Sequence, residues 1–348
     1  MKVIAFEEHY KSHAIEQANK HHPIECVYDE WKKEGRFQST DPSQGIPPGI
    51  YSLSDERIAA MDAAGIDVQI LSHTVPGPEE LDPKLAVELA RQSNDAAYKA
   101  VARYPDRFLA FATLPMRDPK AAAEELDRTV RQLGFVGALI NGHVKGRYLD
   151  DKFFWPVFEC AESLDVPIYL HPNRPPQAVV SAYYDGFRPL VSGFLAHAGV
   201  GWHFDTGVHC LRLILGGVFD AFPSLQFIAG HHFELLSWIA WRAQYSFPPK
   251  ETGLKHWILD YIMQNFYGGL LAGEYEDQKS GEIDRSWRLS FNAFSAMVNL
   301  LGVERVLFTT DYPYGNMVAA REFFDRMPIS PGDKEKIGHL NAERLLKL

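Results

Sequence analysis

The feature that most constrains the fold is an alternation of short apolar strands with helices along the whole chain. The predicted strands cover residues 3–9, 67–71, 107–114, 136–141, 166–171, 225–230, 264–268 and 305–310. Strands that alternate with helices pair in parallel. Eight such units make an α/β fold of the (β/α)8 TIM-barrel class the most economical prediction. A doubly wound sheet is the alternative, but the first strand is not followed by the GxGxxG turn of a dinucleotide-binding version.

Helix starts and long connections define the predicted organisation. Asp82-Pro83 and Asp118-Pro119 each pair a helix-capping residue with a proline in the first turn. Ser52 and Asp55 form a capping-box pattern for a helix that ends near residue 64. We expect a single domain over residues 1–348, with long insertions at about 10–51 and 172–203. The second insertion is rich in Pro, Gly, Tyr and Phe and is predicted to cover the mouth of the barrel.

Several predicted strands end in residues that can bind a metal. Glu7 and His9 are two positions apart on the first strand, so they should face the same side. His171 ends another strand, and His231 and Asp311 directly follow two more; a barrel brings the carboxyl ends of its strands around one cavity. Each histidine alone is more often a structural residue than a ligand. Together, this mixed nitrogen and carboxylate set suits zinc or manganese better than calcium.

Composition excludes several classes of partner. The formal net charge of −10 at pH 7, without a basic stripe, argues against nucleic acid and anionic membranes. Cys26, Cys160 and Cys210 are far apart and show no CxxC spacing, which predicts a reducing cytosol rather than a disulfide framework. Glu7 and Glu8 interrupt the position of a signal peptide, and no apolar stretch approaches the roughly 20 residues of a membrane span. We therefore expect a cytoplasmic protein.

The segments that carry these residues resemble the amidohydrolase superfamily. The similar segments are 3–9, 169–172, 229–231 and 307–313, with further similarity at 105–112, 133–138 and 341–345. The resemblance is to the decarboxylase branch, and most closely to the γ-resorcylate (2,6-dihydroxybenzoate) decarboxylases. Typical hydrolases of the superfamily begin with His-x-His, whereas this chain has Glu7 at the first position. That difference favours the decarboxylases.

The resemblance implies a role for each site residue. Glu7, His9, His171 and Asp311 would bind one divalent metal ion per chain, zinc or manganese. Asp311 would also donate a proton, and His231 with Glu234 would form the acid–base pair. Arg242 matches a family arginine at the same spacing; together with Asn141, it is the predicted substrate-binding residue. Family members also imply a homo-oligomer, a dimer or a tetramer.

The implied activity is that of a carbon–carbon lyase that acts on a small aromatic carboxylate. It would remove CO2 from a hydroxylated aromatic carboxylic acid without oxidation, after protonation of the ring. The alternative is a hydrolase of an amide or lactone, in which the same metal activates water and Asp311 acts as base. A binding protein without turnover is a third interpretation. Asp205 and His209, one helical turn apart, are predicted to be a surface pair.

Overall fold

The computed structural model describes residues 1–21, 49–271 and 285–348, with side chains in the last segment from residue 289 onward. Most of the predicted insertion 10–51 lies outside the described residues. The strands are β1 (Ile4–Tyr10), β2 (Val68–His73), β3 (Phe108–Ala110), β4 (Ala112–Thr113), β5 (Ala138–Asn141), β6 (Ile168–His171), β7 (Phe227–Ala229), β8 (Phe266–Leu270) and β9 (Val306–Phe308).

All strand ladders are parallel and follow chain order, β1 to β3 in one sheet and β4 to β9 in the other. β3 and β4 are two halves of the predicted third strand, separated only by Phe111. A parallel bridge joins Phe6 to Thr309, and the His9 N–H donates to the Tyr312 carbonyl at 2.7 Å. These contacts place the end of β9 beside β1. The arrangement agrees with the predicted (β/α)8 fold, with its third strand broken.

Helices connect the strands on the outside of the sheets. The principal helices are Asp55–Ala64, Pro83–Arg103, Pro119–Leu133, Trp155–Leu164, Gly201–Leu215, Leu236–Ser246, Ile258–Asn265, Arg285–Leu301 and Met317–Arg326. The Asp82 and Asp118 carboxylates accept backbone N–H bonds from Lys84 and Ala121, as the Asp-Pro pattern predicts. The N-cap of the Asp55–Ala64 helix is Ser54 rather than Ser52, whose hydroxyl instead lies 3.0 Å from that of Ser54.

The segment after β6 is more helical than predicted. It contains the helices Gln177–Tyr183 and Pro189–Ala196. The next helix begins at Gly201, so Trp202 and His203 belong to it. The Gly201–Leu215 helix is followed by Gly217, whose φ of 73° interrupts the right-handed helical conformation. A second, short helix, Val218–Ala221, completes the connection.

Two apolar layers hold the fold together. Inward-facing side chains of the strands, among them Ile4, Phe6 and Leu307, pack with Ala342 and Leu345 near the C-terminus. A larger layer lies between the strands and the surrounding helices. Since the inner layer fills the barrel towards the C-terminal residues 342–346, polar side chains gather at the opposite, carboxyl ends of the strands. Among the described residues, no helix is both long and apolar enough to cross a membrane.

Candidate active site

Three of the four predicted metal ligands form one buried cluster. Ligand atoms of Glu7, His9 and His171 all lie within 4.8 Å of one another. The His171 Nε2 is 3.7 Å from the Glu7 Oε1. Glu7 Oε1 and His9 Nε2 are buried without a hydrogen-bond partner. Buried polar atoms are costly when left unpaired, so this donor set fits a divalent metal ion.

An irregularity in β1 places Glu7. The ladder with β2 shifts register between Ala5 and Glu8, and Glu7 has a φ of 62°. Glu7 and His9 share one cluster, as predicted, although the strand between them is not regular. The Tyr169 hydroxyl donates to Glu7 Oε2 at 2.6 Å and fixes the carboxylate. The sequence signal for Tyr169 was its position two residues before His171, on the same face of the strand.

Asp311 completes the predicted ligand set. It lies just beyond β9, and its Oδ1 is 3.2 Å from His9 Nε2. The Asp311 side chain is 21% exposed, whereas that of His9 is fully buried. Asp311 also has a positive φ, 56°. Its carboxylate therefore contacts the buried cluster and remains accessible from outside.

His231 and Glu234 form a hydrogen-bonded pair beside the cluster. His231 Nδ1 lies 2.8 Å from Glu234 Oε1, and His231 Nε2 lies 3.7 Å from Glu7 Oε1. Burial alone would lower the pKa of His231, but Glu7 and Glu234 raise it to about 10. The two carboxylates therefore favour the protonated form of this imidazole. Burial lowers the pKa of His171 well below its usual value, so that ring is neutral and suited to bind a metal.

The pair is held on a left-handed turn that precedes a helix. His231, His232, Phe233 and Glu234 have φ values of 48°, 58°, 67° and 52°, and the helix begins only at Leu236. The His232 N–H donates to the Gly269 carbonyl at 2.9 Å. Such conformations cost roughly 1–3 kcal/mol per residue and concentrate at functional sites. This single turn brings the side chains of His231 and Glu234 together.

A second histidine contacts Glu234. His203 Nδ1 lies 2.6 Å from Glu234 Oε2, so both carboxylate oxygens face an imidazole. Burial alone would raise the pKa of Glu234, but His231 and His203 lower it. His203 was not predicted as a site residue. It is the last residue of the predicted insertion 172–203 and lies 31 positions from Glu234, with no local pattern to connect the two.

The model of the amidohydrolase family matches residues 21–348. The chain belongs to this family. A γ-resorcylate decarboxylase from Rhizobium radiobacter is 37% identical over 335 residues, covering 89% of this chain and 95% of the relative. Among solved structures, 2,6-dihydroxybenzoate decarboxylase from Rhizobium has a TM-score of 0.80 at 32% identity, covering 100% of this chain and 99% of that one. The 5-carboxyvanillate decarboxylase from Novosphingobium aromaticivorans, complexed with manganese and 4-hydroxy-3-methoxy-5-nitrobenzoic acid, has a TM-score of 0.84 at 32% identity and coverages of 100% and 96%.

The two predicted substrate-binding residues occupy different places in this amidohydrolase. Asn141 ends β5 in register with His171, and its Oδ1 is buried without a partner. Glu79, also buried, accepts a hydrogen bond from the Asn141 side chain, and burial raises the pKa of Glu79 to about 7. Arg242 is exposed, with its guanidinium 5.9 Å from the centroid of the Trp241 ring. The described part of the chain does not bring Arg242 to the metal-ligand cluster.

The prediction of a surface pair at Asp205 and His209 is wrong. Both are buried, at 8% and 0% exposure. Asp205 accepts a hydrogen bond from the Tyr148 hydroxyl, and His209 Nε2 accepts one from the Leu149 N–H at 2.9 Å. The loop after β5 covers this face of the Gly201–Leu215 helix, which helical spacing alone could not reveal.

Proposed function

We propose that this amidohydrolase is a metal-dependent, non-oxidative decarboxylase of a hydroxylated aromatic carboxylic acid of the hydroxybenzoate type. The observation that carries the proposal is the partnerless buried pair Glu7 Oε1 and His9 Nε2, surrounded by His171, Asp311 and the His231–Glu234 pair. The relatives named above are decarboxylases of hydroxylated aromatic acids by their names. They favour this activity over hydrolysis of an amide or lactone.

The residues that would hold the metal are Glu7, His9, His171 and Asp311. Manganese is supported by its presence in the 5-carboxyvanillate decarboxylase, and zinc suits the same mixture of nitrogen and oxygen donors. When bound, the metal supplies Lewis acidity towards the phenolic and carboxylate oxygens of the substrate and orients the ring.

Asp311 is the proposed proton donor. Direct loss of CO2 would leave an electron pair in the plane of the aromatic ring, which delocalisation does not stabilise. A proton added first to the carboxyl-bearing carbon interrupts the aromatic ring. The carbon–carbon bond then breaks, its electron pair restores the ring, and CO2 leaves. The partly exposed Asp311 carboxyl group can approach that carbon, while Glu7 is fully buried.

His231 is proposed to stabilise the oxygen charge that develops on the substrate. Its raised pKa favours the protonated imidazole, and Glu234 fixes its orientation through Nδ1. The Nε2 atom, on the Glu7 side, remains to donate to a substrate oxygen. Asn141 is proposed to accept a hydrogen bond from a ring hydroxyl through its partnerless Oδ1.

We also propose a homo-oligomer in the cytoplasm. Trp238, Trp241 and Tyr245 are 56%, 61% and 77% exposed on one helix, and such apolar surfaces mark interfaces. The role of Arg242 in substrate binding also remains a proposal. Free thiols at Cys160 and Cys210 support a reducing compartment.

The test is a product assay on metal-replete protein. Ortho-hydroxylated benzoic acids should release CO2 and the corresponding phenol, while a panel of amides and lactones should remain intact. Turnover only in the second panel would favour the hydrolase. Omission of the metal during reconstitution is the control and should reduce CO2 release to background.

A further inference from the structure

We propose that His203 is a positioning residue that fixes Glu234 and, through it, His231. The inference concerns the geometry of the site, and only its kinetic test rests on the proposed function. His203 comes from the Gly201–Leu215 helix, which lies outside the strand ends that supply the proposed ligands and the acid–base pair.

Glu234 contacts two histidines at once. Glu234 is only 6% exposed, and each of its carboxylate oxygens has a separate imidazole partner. His231 Nδ1 lies 2.8 Å from Oε1, and His203 Nδ1 lies 2.6 Å from Oε2. A carboxylate with a single partner can rotate about its final bond. Two partners on opposite oxygens fix its plane, and the orientation of His231 depends on that plane.

The second contact of His203 gives the direction of the hydrogen bonds. His203 Nε2 lies 3.1 Å from the Ala198 carbonyl, which can only accept. Nε2 must therefore carry a hydrogen atom. Nδ1 faces the Glu234 carboxylate at hydrogen-bond distance, and a hydrogen bond to an ionised carboxylate is charge-assisted.

The same three side chains could also be read as a second metal site, because their ligand atoms lie within 4.8 Å of one another. The hydrogen-bond distances argue against that interpretation. The Nδ1 atoms of His203 and His231 are already at 2.6 and 2.8 Å from the two Glu234 oxygens. These distances are those of N–H···O bonds. We therefore assign each Nδ1 atom to a hydrogen bond with Glu234 rather than to an ion.

The helix that carries His203 packs tightly against the site. A Cβ atom at Gly207 would lie 2.9 Å from the Leu235 Cβ, directly after the left-handed turn. Trp202 lies edge-on to His171, with ring centroids 6.1 Å apart. Neighbouring residues of one helix therefore contact the metal-ligand cluster and the acid–base pair. This packing fixes the position of His203 relative to Glu234.

Three substitutions of His203 separate positioning from simple packing. The amide nitrogen of Asn can occupy the place of Nδ1, whereas that of Gln can occupy the place of Nε2. His203→Asn therefore keeps the bond to Glu234, His203→Gln keeps the bond to Ala198, and His203→Leu keeps neither. We expect kcat to fall about tenfold or more in the Gln and Leu variants and clearly less in the Asn variant. KM should change little in all three.

Crystal structures of the metal-loaded variants provide a readout that does not require turnover. The separation of Glu234 Oε1 and His231 Nδ1 should stay near 2.8 Å with Asn and increase with Leu. If wild type decarboxylates no hydroxybenzoate but the distances follow this order, the proposed function fails and the positioning role stands. Retention of activity by Gln but not Asn would overturn the proposal, because the Ala198 contact would then be decisive. Two metal ions per chain in wild type, with one lost in the Leu variant, would also overturn it.

Discussion

Asp311 differs from the other three proposed metal ligands in its access to solvent. Its side chain is 21% exposed, while Glu7 and His9 are fully buried and His171 is 3% exposed. Buried ligands can hold an ion but cannot easily reach a ring carbon of the substrate. A carboxyl group at the edge of the cluster can do both. The two proposed roles of Asp311 therefore follow from one position.

Asp311→Asn should abolish decarboxylation, because an amide of nearly the same shape cannot deliver a proton. Glu7, His9 and His171 should still retain part of the metal. The measurement is CO2 release together with metal content. In deuterated water, wild type should place one deuterium at the former carboxyl position. Substantial turnover by the Asn variant would transfer the donor role to His231.

His171→Ala should lower the metal content from about one ion per chain to a small fraction, since it removes a neutral imidazole from the buried cluster. His73→Ala is the matched control. His73 is equally buried, at 3% exposure, but accepts a hydrogen bond from the Ser12 N–H. Elemental analysis of both variants after reconstitution checks the prediction. Full metal content in the His171 variant would refute the proposed ligand set.

Glu8 should give the folded protein a pH-dependent stability. It is fully buried and accepts hydrogen bonds from Gln69 and Thr310, yet burial raises its pKa to about 8. The folded protein therefore retains a proton that an unfolded chain, with a pKa of 4.5, releases. The stabilisation is present below pH 4.5 and is lost as the pH rises through 8.

Glu8→Gln removes this titration. Urea unfolding of both proteins should show that the stability of wild type relative to the variant falls as the pH rises from about 5 to 8. The slope should not exceed about 1.4 kcal/mol per pH unit. A constant difference across that range would mean that Glu8 is ionised in the folded protein throughout.

At the scale of elements, regular patterns were predictable and contacts between distant segments were not. The Asp-Pro helix starts and the strand ends at His171 and Asp311 follow from spacing along the chain. The role of His203 could not be predicted, because its partner Glu234 lies 31 positions away, in the loop after a different strand. The left-handed turn at 231–234 was not predicted from the sequence. The turn is held locally by the Gly230 carbonyl and by a contact of the His232 N–H with Gly269 in another strand, and the second contact leaves no local signal in the sequence.

Gly207→Ala should disturb the contact between the Gly201–Leu215 helix and the left-handed turn. The added methyl group would lie 2.9 Å from the Leu235 Cβ, so one of the two segments must move. We expect a loss of about 1–3 kcal/mol in stability and a lower kcat. Val208→Ala, at a 46% exposed position on the same helix, is the control and should leave both nearly unchanged. Equal stability and equal kcat in the two variants would show that the helix does not pack closely against the turn.

At the scale of the whole molecule, the ordered parallel strands place all proposed ligands at one end, while an aromatic surface lies on the outside. Trp238, Trp241 and Tyr245 occupy positions i, i+3 and i+7 of the Leu236–Ser246 helix, so they share one face. The formal charge of −10 favours solubility, whereas three large exposed aromatic rings lower it. A second copy of the chain would cover them.

Trp241→Glu should shift the protein towards monomers, because a carboxylate in an apolar interface must lose its water. Sedimentation velocity at several concentrations measures the change. Tyr98→Glu is the control, since Tyr98 is a 39% exposed aromatic residue on a different helix. A monomeric wild type would contradict the proposed assembly, and an unchanged assembly in the Trp241 variant would exclude this face.

The positive φ values at Glu7, His231, Glu234 and Asp311 limit which mutant libraries can succeed at these positions. β-Branched side chains are poorly tolerated in this conformation, whereas Gly, Asn, Asp and His adopt it more readily. A saturation library would therefore lose many members through backbone distortion before any chemistry is sampled. Libraries restricted to those four residue types would sample altered chemistry on an intact backbone. An engineer seeking a new reaction should vary the surrounding side chains first and limit changes at the left-handed positions to those four residue types.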